Sequence, residues 1–95
     1  MGDTITPFKA FVQHEEKALY YFRGALLPDY RRALDDLFVH AELLIAALTM
    51  AEHLPRTEAL HLAMLVGTVR DLHRLQGRME TVEYQLRSLY RLHGR

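Results

Sequence analysis

Glu58 and His61 stand three residues apart, with Glu52 and His53 just across Pro55 from them. On a helix, that spacing turns a carboxylate and an imidazole toward the same side. Carboxylate oxygens and imidazole nitrogens gathered at a hairpin tip could hold zinc with water in the fourth position. The simpler role is a solvated hairpin end, with Glu58 meeting the positive end of a helix dipole. Three further histidines, His14, His40 and His73, fall at neighbouring levels of different segments. With Glu15, Glu42 and Asp71 they could form a polar layer that fixes register by satisfying one another's hydrogen bonds. Nucleophilic chemistry has little to work with, since Ser88 is the only serine and cysteine is absent. The missing cysteine also excludes disulfides, thiolate catalysis and zinc fingers.

Glu58-x-x-His61 resembles the iron-binding spacing of ferritin-like bundles, but the second Glu-x-x-His that such a site needs is missing. Glu15, the other carboxylate placed on an inward stripe, lies some 18 Å away along the bundle axis. Arg56-x4-His61 and Arg87-x5-His93 are similar to the loose Arg-x(4–6)-His pattern of HEPN-type ribonucleases, which are also helical and dimeric. With ten Arg and six His in 95 residues such matches arise by chance. A third group is the Arg/Tyr-rich tail. Arg70, Arg74 and Arg78 recur every four residues, as do Arg87, Arg91 and Arg95, so each trio forms a ridge that could track phosphates. Tyr84 and Tyr90 could stack on bases. The alternative for this tail is a solvated face whose Arg stems shield apolar neighbours and pair with Glu80 and Glu83.

The charge distribution favours the tail as the basic region. Twelve basic and twelve acidic residues cancel overall. Residues 1–69 carry six Lys/Arg against nine Asp/Glu, and residues 70–95 carry six Arg against three acids. No signal peptide is visible and the longest apolar run, Leu43 to Leu48, is too short to span a bilayer, so a cytoplasmic protein is expected. Absence of Asn and the excess of Arg over Lys fit a thermophile or a GC-rich genome equally well.

The elements that must position these groups are helical, because no strand pattern appears anywhere. Thr6 caps a helix with Pro7 at its first position. Phe8, Phe11, Val12, Leu19 and Phe22 recur on one face. Pro28 and Pro55 divide the rest of the chain, and Thr57 is the expected cap of the last segment. The expectation is an all-α single domain over residues 1–95: a three-helix antiparallel bundle with helices at about 7–25, 29–54 and 57–93.

The last helix carries a heptad seam: Leu65, Thr68, Leu72, Leu75, Met79, Val82, Leu86, Leu89 and His93 alternate at spacings of three and four. Gly67 and Gly77 lie off the stripe and do not reset its phase, so one long helix is expected, with a break at Gly77 as the alternative. That helix would reach roughly 55 Å against roughly 39 Å for the second, leaving about 11 residues uncovered. The overhang carries Met79, Val82, Leu86, Leu89 and Tyr90, the expected interface. Leaving several large apolar side chains wet forfeits several kcal/mol, comparable with a small domain's whole stability.

The function expected from these features is a small non-enzymatic helical interaction or assembly protein. It would act as a homodimer or as a subunit of a larger complex, with no cofactor and no membrane. A nucleic-acid binder using Arg70, Arg74, Arg78, Arg87 and Arg91 is one alternative, and a helical metalloprotein or HEPN-like nuclease is the other.

Overall fold

A computed structural model describes residues 6–94. The chain forms α1 (Pro7–Ala18), α2 (Tyr20–Ala25), α3 (Pro28–Leu43), α4 (Ile45–Thr49) and α5 (Arg56–His93), with no strand among the described residues. Met1 to Ile5, and Arg95 of the second arginine ridge, lie outside that range.

The Thr6 hydroxyl accepts the Lys9 amide at 3.2 Å and Pro7 occupies the first turn, so α1 starts as its sequence dictates. The first expected helix is interrupted at Leu19 (φ −91°, ψ 12°), whose amide is shared between the Glu15 and Glu16 carbonyls. Pro28 then opens α3. The Arg31 guanidinium donates to the Leu26 carbonyl at 3.1 Å and, at longer range, to that of Gly24 and to that of Arg23, which also accepts the Leu26 amide, so it supports the end of α2.

The second expected helix is also interrupted, at Leu44, and stops at Thr49 instead of near residue 54. From there the chain tightens into turns of shorter pitch, with Met50, Ala51 and Leu54 each donating to the carbonyl three residues back. The Thr49 hydroxyl takes up the Ile45 and Ala46 carbonyls. Pro55, not Thr57, precedes the last helix: it is extended (φ −56°, ψ 142°) and offers only its carbonyl, to Ala59. Thr57 lies inside the first turn.

The core has two small layers at one end of the molecule. Phe8, Leu48, Ala59 and Ala63 form one, and Val12, Phe38, Ala41 and Leu60 form the next. Both layers draw on α5 only between Ala59 and Ala63. Beyond them α5 runs on as a single helix through Gly77 to His93. The radius of gyration is 19.3 Å and the longest dimension 68 Å, whereas a compact chain of this length has a radius of about 12 Å. The structure is all-helical, with a short packed end and a long arm.

Candidate functional site

The arm leaves the packed end at a close crossing of α3 and α5. Ala59, Ala63 and Gly67 recur every four residues and let the backbones approach. His40 of α3 is buried, and its ring lies directly over Gly67; a Cβ added there would overlap the ring and come within 2.6 Å of its Nδ1. His40 Nε2 and Asp71 Oδ2 are 2.7 Å apart, joining the two helices one turn further on. Of the six residues expected in a polar layer, only His40 and Asp71 meet. His14, His73 and Glu42 are exposed and Glu15 is half-buried, because the packed layers are too small to surround so many polar groups.

Past Gly67 no described residue of α5 is buried. Leu65, Leu72, Leu75, Met79, Val82, Leu86 and Leu89 are each at least 50 % exposed. The uncovered stretch is therefore about twice what length accounting predicts. Beyond the His40–Asp71 contact α3 buries no residue of the arm, and α2 makes no contact with α5.

The seam is also not the face that packs. At about 100° per residue, Leu60, Ala63, Met64 and Gly67 centre roughly a third of a turn away from Leu65, Thr68 and Leu72. Glu58 and His61, which share the seam's phase, are accordingly exposed and do not face inward. A second apolar strip flanks the seam in the lower half of α5, where Leu62, Val66 and Val69 are exposed. Sequence reasoning missed that strip, although its spacing of three and four residues was visible.

The other expected interface residue, Tyr90, is exposed, as are Tyr84 and Leu92. The tail arginines are solvated. Arg87 lies 3.6 Å from Glu83 one turn away, a weak exposed pair. Arg70, Arg74, Arg78 and Arg91 form no ion pair among the described residues. Glu52, His53, Glu58 and His61 are all exposed around Pro55. Among the described residues no three His, Asp or Glu side chains converge as a metal-binding group. No helix among the described residues is long and apolar enough to cross a membrane.

A family model described as a domain of unknown function, DUF8156, matches residues 1–93. The chain belongs to this family. Its matched stretch runs through the packed end and nearly all of the arm, so the arm is part of the family unit. No curated protein and no solved structure matches the chain.

The strongest surface interaction lies away from both the seam and the crossing. Arg23 donates to both Asp35 carboxylate oxygens, at 2.7 and 2.8 Å, tying α2 to α3. The hydrogen bond from Arg23 holds the Asp35 carboxyl below the usual carboxylate range, and the same bond raises the guanidinium.

Proposed function

We propose that this is a non-enzymatic assembly protein that self-associates through the exposed seam of α5. The observation that carries the proposal is the heptad stripe from Leu65 to Leu89, apolar at every position but Thr68 and wet in the single chain. The surface supports it as well. The chain exposes 8129 Å², roughly 2,500 Å² more than a compact monomer of its mass presents. Two copies covering that excess would bury roughly 5,000 Å², at the upper end of the range for obligate homodimers. A three-helix bundle that is incomplete in one chain would then be completed by the second copy. Light scattering at micromolar concentration tests this directly: a dimer or larger assembly is expected, and a monomer overturns it.

The arginines favour a second, compatible reading. Arg70, Arg74 and Arg91 point away from the seam and lack acidic partners among the described residues, so an assembled pair would display basic ridges on its outer faces. Those ridges suit a nucleic-acid backbone. Salt-dependent binding of RNA or DNA, lost on replacing Arg87 and Arg91 with Gln, is the expected result. Salt-independent binding, or none, overturns it.

A further inference from the structure

The seam carries information about orientation as well as contact. Resting on the self-association just proposed, we infer that two copies of α5 pair side by side in parallel and in register. The second copy's packed end then lies beside the first's, covering the apolar strip Leu62, Val66 and Val69.

In the heptad phase, Leu65, Leu72, Met79, Leu86 and His93 occupy the a positions, and Thr68, Leu75, Val82 and Leu89 the d positions. Arg78 then falls at g and Glu83 at the following e. A parallel, in-register pair sets each copy's Arg78 against the other copy's Glu83, giving two complementary contacts across the seam. In the single chain Arg78 has no acidic partner among the described residues, while Glu83 is held only loosely by Arg87 at 3.6 Å. Antiparallel registers that keep most of the seam paired place Arg78 against the second copy's own Arg78 or against Gln85. The first repels and the second gains no charge pair. Most other arginines of the arm sit at b, c and f, away from the axis, where salt screens their mutual repulsion.

The packed end gives an independent argument. α3 covers the g flank of lower α5, where its His40 meets Asp71, while α1 and α4 pack behind α5, at Ala59 and Ala63. The exposed apolar strip lies on the opposite flank, with Leu62 and Val69 at e and Val66 at b. In a parallel pair the e flank of one helix faces the g flank of the other, so each strip meets the second copy's packed end. An antiparallel pair sets e against e and leaves both packed ends on the far side. The aliphatic strip at e and b lies in the part of α5 where a packed end is available to cover it; at the far end only Tyr90 at e and Leu92 at g flank the seam.

The chain contains no cysteine, so single cysteines report orientation cleanly. Leu75→Cys and Leu89→Cys, each on the exposed seam and outside the core, should both oxidise to covalent dimers on a non-reducing gel. Mixing Arg78→Glu copies with Glu83→Arg copies should form mixed dimers in excess of the statistical half, while each variant alone dimerises at least several-fold more weakly. If light scattering shows a dimer but neither single-cysteine variant cross-links, the parallel arrangement is overturned while self-association stands. Cross-linking confined to a mixture of Leu65→Cys and Leu89→Cys copies overturns it in the same way. A monomeric parent chain overturns the self-association itself.

Discussion

The two halves of α5 share one helix but have opposite relations to water. From Ala59 to Gly67 the helix presents small residues to α1, α3 and α4, and its backbone comes close enough for a histidine ring to rest on a glycine. From Leu72 onward it presents Leu, Met and Val to solvent. The lower half is packed within the chain, whereas the upper half is uncovered there, and in the proposed dimer a second copy covers it. An isolated helix of the arm's length is marginal in water unless an apolar face is covered. The regular heptad in the uncovered half is what the proposed self-association rests on, and the small-residue pattern in the covered half belongs to the fold.

The largest effect that would break this contrast is a change confined to the arm. Leu75→Glu combined with Leu86→Glu removes four large apolar groups from a dimer and should cost it about 6 kcal/mol or more. Light scattering should then report monomers, while circular dichroism still shows the packed end melting cooperatively. Retention of the dimer would move the interface off the seam. The matching change in the packed end, Phe38→Ala, should cost about 3–5 kcal/mol through cavity formation. Its signature is loss of the cooperative thermal transition, not dissociation alone.

The two glycines sharpen the comparison at smaller scale. Gly67→Ala drives a methyl into the His40 ring and should destabilise by about 1–3 kcal/mol, through the strain of overpacking. Gly77→Ala meets nothing within 4 Å and should stabilise the helix by about 1 kcal/mol. Paired thermal melts of the two variants should shift in opposite directions. A destabilising Gly77→Ala would show that something packs against the outer face of the arm, opposite the seam.

The smallest effect concerns pH. Asp35 has a folded pKa depressed by Arg23. Its contribution is present above the ordinary carboxylate range and is lost as pH falls through the depressed value. Asp35→Asn should flatten the acid limb of a stability–pH curve below about pH 4 and leave neutral dissociation of the dimer unchanged. Because the pair is half exposed, the change should be modest.

Much of this was legible in the residues. Thr6–Pro7, Pro28 and Pro55 mark where helices begin because they act through local backbone geometry. The unbroken phase across Gly77 foretold one helix, since a real break would reset the repeat. The interruptions at Leu19 and Leu44 were not legible, because neither carries a Gly or Pro. The polar layer failed for a related reason: levels along a helix can be counted from a sequence, but the facing direction of each histidine cannot.

The amino-acid sequence by itself determined that the chain is helical, that its last helix is long, and that the helix carries a heptad stripe and a basic excess. Each of these rests on local propensity, periodicity or counting. Only the tertiary structure decided which face of α5 packs, that His40 and Asp71 meet over Gly67, and that the covering stops there. Those depend on the angle at which α3 and α5 cross, set by side chains far apart in sequence meeting at a few small residues.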